Sequence, residues 1–170
     1  MNRTLDLRKV FGMIVTYDDA QELVSPTGPF DVITELQPGG KSAIHIHPSQ
    51  DEIYEVKQGE MEVFIAGKWS LLRAGEKVTI PKGTVHGFRN AGTQSAIAFN
   101  RHDPGLRFGE MLVTIQQYIN DNKIKSTSGF RNLAHMSSIT VQYSDVMVPV
   151  KPPSGLVRFM AKAGKLFGYK

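Results

Sequence analysis

Two short stretches of this chain set four ligand-type side chains among turn-forming glycines, and few folds satisfy that spacing. The first runs Gly39, His45, His47, Glu52, Gly59, and the second Gly75, Pro81, Gly83, His86, Asn90. Strand side chains alternate between faces, so His45 and His47, two residues apart, point the same way on a strand. Glu52 opens the next apolar run. Pro81-Lys82-Gly83 reads as a tight turn, with proline fixing φ and glycine free of Cβ strain. That turn sends the chain back so that His86 projects toward the earlier pair. Three imidazoles and one carboxylate make a mixed nitrogen–oxygen set suited to Fe, Mn, Ni, Co, Cu or Zn. The spacing does not choose among these metals.

The rest of the chain divides by period. Short runs rich in β-branched and aromatic residues, bounded by Gly and Pro, predict strands over 13–17, 30–36, 43–47, 53–57, 61–65, 69–72, 77–80, 86–89 and 95–100. Ala66-Gly67-Lys68 predicts a hairpin turn between the fifth and sixth of these. The period then changes to that of a helix. Asp103 can cap it, Pro104 suits its first position, and Phe108, Met111, Leu112, Ile115 and Ile119 form a 3.6-residue stripe. A second helix is expected from about 129 to 145, carrying Leu133, Met136, Ile139 and Tyr143. After the stiff run Pro149-Val150-Lys151-Pro152-Pro153, Ser154 can cap a third. Its Leu156, Met160, Ala163 and Phe167 lie on one side, with Arg158, Lys162 and Lys165 opposite. No internal repeat occurs, so each motif belongs to a single barrel.

Both motifs, with all ten fixed positions filled, resemble those of the cupin superfamily. The resemblance implies a mainly β fold: a double-stranded β-helix, or jelly-roll barrel, over residues 1–102, with a metal bound inside its mouth. Residues 103–170 then form a C-terminal α-helical extension packed on the barrel or on a dimer partner. His45, His47, Glu52 and His86 are the implied ligands of one divalent transition metal (Fe, Mn, Ni or Zn). By strand parity Tyr54 and Val56 share the Glu52 face and Phe88 the His86 face, so a partly apolar pocket for a small organic ligand is expected. Arg101 and His102 end the last strand, where the arginine could clamp a carboxylate or both could be solvated. Glu55 should face away. The activity implied first is a metal-dependent, dioxygenase-like reaction of quercetin- or cysteine-dioxygenase type. Cupin isomerases and decarboxylases, a non-catalytic sugar or metabolite sensor, and a dimer scaffold are the alternatives.

Composition narrows the field further. The chain has 170 residues and no cysteine, which excludes disulfides, thiolate ligands and a Cys nucleophile. The net charge of +4 is a property of the tail: Lys151, Arg158, Lys162, Lys165 and Lys170 are unaccompanied by acids, leaving residues 1–150 at −1. A nucleic-acid platform on the barrel is therefore not expected. No apolar run is long enough to span a membrane, and the short apolar run at 10–15 is no signal peptide, so a cytoplasmic location is expected. A homodimer is expected, because cupins pair through barrel edges. The last helix could touch a membrane surface, but docking of its apolar side on protein is the favoured expectation.

Overall fold

The computed structural model describes residues 1–166. In chain order the elements are β1 (Asn2–Asp6), α1 (Arg8–Phe11), β2 (Met13–Asp18), β3 (Phe30–Leu36), β4 (His45–Ile46), β5 (Asp51–Gln58), β6 (Glu60–Ile65) and β7 (Lys68–Arg73). There follow β8 (Lys77–Ile80), β9 (His86–Arg89), β10 (Ala96–Asp103), α2 (Phe108–Asn120), α3 (Phe130–Gln142), β11 (Val148–Pro149) and α4 (Ser154–Leu166). The strands form two antiparallel sheets, ordered β1-β2-β3-β10-β5-β8 and β11-β4-β9-β6-β7, consistent with a jelly roll. Alternation builds the core between them. Phe30, Val32 and Leu36 of β3, Tyr54 and Val56 of β5, and Met61 and Val63 of β6 are all buried.

Turn chemistry explains how the strands reverse. Ala66 and Gly67 both take positive φ (47° and 100°), and Ile65 pairs with Lys68, so the β6–β7 hairpin has the two-residue geometry that matches strand twist. Gly83, at φ +78°, closes the Pro81–Gly83 turn, and its amide donates to His47 O at 2.8 Å. The turn that delivers His86 is thereby tied to the strand segment carrying its partner imidazoles.

Several expectations change at the extension. Asp103 does not cap a helix and Pro104 does not begin one. The β10 ladder instead continues through Asp103, opposite Asp51, and α2 starts at Phe108 after Leu106 bridges to Ser25. The α2 stripe of Phe108, Met111, Leu112, Ile115 and Ile119 is buried, as its period requires. On α3, Ile139 is buried but Leu133 is largely exposed, and Ala134, His135 and Ser137 take the inner positions. On α4 the buried side is Val157, Ala161 and Gly164, with Leu156 about half exposed. The buried sets of both helices include small residues, Ala134 and Ser137 on α3 and Ala161 and Gly164 on α4. Arg158, Lys162 and Lys165 are exposed, whereas Phe167 and Lys170 lie outside the described residues. The sequence pattern missed β1 and β11. No helix among the described residues is long and apolar enough to cross a membrane.

Candidate metal centre

Register brings the four predicted ligands together. His45 on β4 is directly opposite His86 on β9. Glu52 sits on the inner face of β5, and His47 follows β4 by one residue. The ligand-capable atoms of His45, His47, Glu52 and His86 all lie within 4.8 Å of one another, and all four side chains are buried.

The proton positions follow from the carbonyls around the rings. His45 Nδ1 donates to Ala43 O at 2.8 Å, His47 Nδ1 to Val146 O at 2.6 Å, and His86 Nδ1 to Thr84 O at 2.8 Å. A carbonyl can only accept, so each ring carries a proton on Nδ1. The Nε2 atoms of His45 and His47 then face each other at 3.1 Å. Burial pushes the His45 pKa down to about 4, and burial likewise holds His47 well below its ordinary value. At neutral pH neither Nε2 is protonated, and two bare lone pairs at that distance repel unless a cation lies between them. His86 Nε2 and Glu52 Oε2 make an ion-pair contact at 2.7 Å, yet neither atom has a hydrogen-bond partner among the described residues. Donor type, burial and these unpartnered atoms together fit a metal ion bound through three Nε2 atoms and Glu52 Oε2.

The carboxylate is oriented by its other oxygen. Glu52 Oε1 accepts from Tyr54 OH at 2.6 Å and from Asn100 Nδ2 at 3.0 Å, and His102 Nε2 lies 3.0 Å away. Burial would raise the Glu52 pKa, but the surrounding imidazoles, His102 first, outweigh it and keep the group well below the carboxylate range. Burial, then the Glu52 charge, drives Tyr54 well above its ordinary value, so the phenol keeps its proton and donates. His86 is pulled down by burial and up by Glu52, and the carboxylate wins.

The remaining predicted residues separate. Tyr54 and Phe88 line the cavity that holds the ligands, and they contact each other edge to face. Val56 is fully buried opposite Ala98 and does not line that cavity. Arg101 is placed away from the cavity: it forms a two-pronged ion pair with Asp31, both contacts 2.7 Å, because its neighbours Asn100 and His102 take the inward positions of β10. Glu55 faces outward and pairs with Lys57. His102, expected at the strand end with solvation as one alternative, is buried at 1% exposure and stacks on Phe108 with ring centroids 3.5 Å apart. Its register partner is Glu52 itself. Asn90, the last motif residue, is no ligand: its amide donates to Leu36 O and Gln94 O and locks a loop.

The cavity measures about 130 Å³. The barrel contributes Met13, Val15, Val32 and Phe88, while the extension contributes Phe108, Met111, Leu112, Ile115, Met136 and Met147. Helices α2 and α3 and the segment before β11 therefore roof the cavity, while α4 lines none of it.

Comparison with known proteins agrees with this architecture. Residues 32–100 match the family model of the Cupin domain. Over those residues the chain is similar to the cupin superfamily. Barley (Hordeum vulgare) oxalate oxidase 1 is 36% identical over 85 residues, covering 44% of this chain and 42% of that protein. The polyketide synthase CurC of Streptomyces cyaneus is 29% identical over 99 residues, covering 55% and 64%. The chain thus spans about two fifths of the length of the oxalate oxidase it matches. Among solved structures, KdgF from a Halomonas species superposes with a TM-score of 0.51 at 20% identity, covering 60% of this chain and 86% of that one. A sugar phosphate isomerase from Silicibacter pomeroyi gives 0.51 at 21%, covering 61% and 70%. At such identities the likeness shows the fold.

Proposed function

We propose that this chain is a metal-dependent, dioxygenase-like cupin enzyme acting on a small organic molecule. The observation that supports this most is the set of bare Nε2 atoms and the unpartnered Glu52 Oε2, converging at the end of an apolar cavity. His45, His47, His86 and Glu52 would hold the ion. A redox-active ion there would supply oxygen chemistry, and a redox-silent one would polarise a carbonyl. The protein's own part is to fix the ligands, keep Glu52 ionised, and exclude bulk water with the helical roof. Bringing the reactants together in a dry enclosure lowers the barrier without an elaborate acid–base set. The oxidase named among the relatives supports an oxidative reaction.

A second reading, a barrel that binds its ligand without turnover, draws on Tyr54, Asn100 and His102, which line the cavity but turn polar atoms toward Glu52. Isomerase or decarboxylase chemistry would need a further acid or base aimed at substrate, a part that only His102 among the cavity's non-ligand imidazoles could take. Elemental analysis, followed by O₂-consumption assays on iron- or manganese-loaded protein with phenols, thiols and keto acids, separates these. Metal-dependent O₂ uptake with one substrate class is expected. Stoichiometric metal without turnover on any class would favour the binding barrel.

A further inference from the structure

The cavity's walls specify more than its size. Among the described residues lining it there is no Lys or Arg; its polar groups are the ligands His45, His47 and Glu52, the supports Tyr54, Asn100 and His102, and the hydroxyls of Ser42 and Thr34. The arginines next in sequence to lining residues are committed to acids: Arg8 to Asp6, Arg89 to Glu62, Arg101 to Asp31 and Arg107 to Glu110. Any charge on a bound molecule must therefore be balanced by the metal centre alone. A divalent ion with Glu52 and neutral imidazoles leaves one positive charge. A monoanionic head neutralises it, whereas a dianion leaves a buried negative charge with no cationic side chain on the wall of this cavity, which is costly.

The body of the ligand meets a different surface. Phe108, Met111, Leu112, Ile115, Met136 and Met147 all come from the extension. An apolar cavity of roughly 150 Å³ stays dry and holds a benzene ring, so about 130 Å³ suits one ring or its aliphatic equivalent. A second void of about 320 Å³ shares Phe11, Ser42, Ala43, Met136 and Met147 with the first, and Lys41 and Lys151 line it on the far side of those residues, outside the metal-centre cavity. Flexible methionine side chains separate the two, and such walls adapt to varied apolar shapes.

Resting on the metal-centre reading above, we propose that the site takes a small molecule with a single oxygen-donor head, neutral or monoanionic, such as a phenol, enol or monocarboxylate. Its apolar, ring-sized body is recognised by the C-terminal extension. Dicarboxylates and sugar phosphates are excluded by charge.

Methionine methyl NMR tests this directly. Met13, Met111, Met136 and Met147 line the cavity, Met61 is buried elsewhere, and Met160 lies on α4. Protein labelled with ¹³C at the methionine methyls is titrated with 4-methylphenol, oxalate and glucose 6-phosphate, in metal-free and Zn²⁺-loaded forms. The phenol is expected to shift the cavity methyls and leave Met61 and Met160 unmoved, with apparent affinity about tenfold or more tighter in the zinc form. Leu112→Trp, or the milder Leu112→Phe, fills the space and should weaken that response. Cavity shifts with oxalate or glucose 6-phosphate at lower concentration than with the phenol would overturn the proposal. So would zinc binding with no response to the phenol, though the metal centre would stand. A phenol response in protein that takes up no zinc would support the apolar ligand class and overturn the metal-centre reading.

Discussion

Each imidazole of the candidate centre spends its Nδ1 proton on a backbone carbonyl, and that choice decides which nitrogen faces inward. Glu52 is prepared the same way, with Oε1 held by Tyr54 and Asn100 and Oε2 left toward His86. Removing one such support costs metal affinity rather than the fold. Tyr54→Phe is therefore expected to weaken metal binding by about 10- to 100-fold, read by competition with a chelating dye, with little change in far-ultraviolet circular dichroism. Stability should also follow pH. In the metal-free protein His45 titrates near 4, below its ordinary value, so on acidification the unfolded chain takes that proton first. Stability from this group is complete above pH 6.5 and falls as pH drops toward 4, by roughly 3 kcal/mol in all. His47 acts in the same direction. Glu52, also depressed, withdraws its contribution as pH falls below its unfolded value. His86, raised, opposes them, adding stability at low pH that is lost as pH rises through its folded value. Urea unfolding of the chelated protein at pH 7 and 4.5 should show the lower midpoint at 4.5; equal midpoints would contradict the buried neutral imidazoles.

The four ligands were legible because period-two alternation and turn glycines fix a strand's inward face without knowledge of its neighbours. His102 was not. It lies in the polar run Arg101-His102-Asp103, which reads as the end of a strand, and only its register opposite Glu52 shows that the strand continues. The same parity that hides Arg101 outside would have placed His102 inside, had the strand been carried two residues further.

At the level of elements, α2 is seated by an absence of side chain. A Cβ on Gly109 would lie 2.7 Å from the Phe30 ring and 3.0 Å from the Leu23 backbone, so the helix rests directly on β3. Gly109→Ala should therefore destabilise the protein by about 1–3 kcal/mol despite alanine's better helix propensity, measured by urea denaturation. A stabilised variant would mean that α2 is seated elsewhere. β11 does comparable work on the other sheet. Val148 and Pro149 pair with Ile46 and His45, Val150 N donates to Ile44 O, and Val146 O receives the His47 proton. Nothing in the local pattern of residues 146–150 signals a strand, because two residues carry no period and Pro149 argues against one. The face of α4 was misjudged for a related reason. Large apolar residues dominate a helical stripe, but close packing on α3 selects Val157, Ala161 and Gly164.

Taken as a whole molecule, the barrel supplies the ligands and the extension supplies the roof, the cavity's apolar wall and one ligand's hydrogen-bond acceptor. The cupin motifs made the barrel readable. They say nothing of residues 104–166, whose placement over the mouth depends on tertiary packing. The central claim is that the four side chains bind one ion through the three Nε2 atoms and Glu52. Anomalous diffraction at the metal edge, from crystals of metal-loaded protein, tests it most directly. The account predicts a single strong peak enclosed by His45, His47, His86 and Glu52, on the Nε2 side of each ring. Density showing those side chains bonded only to one another, with the peak elsewhere or absent, would contradict it.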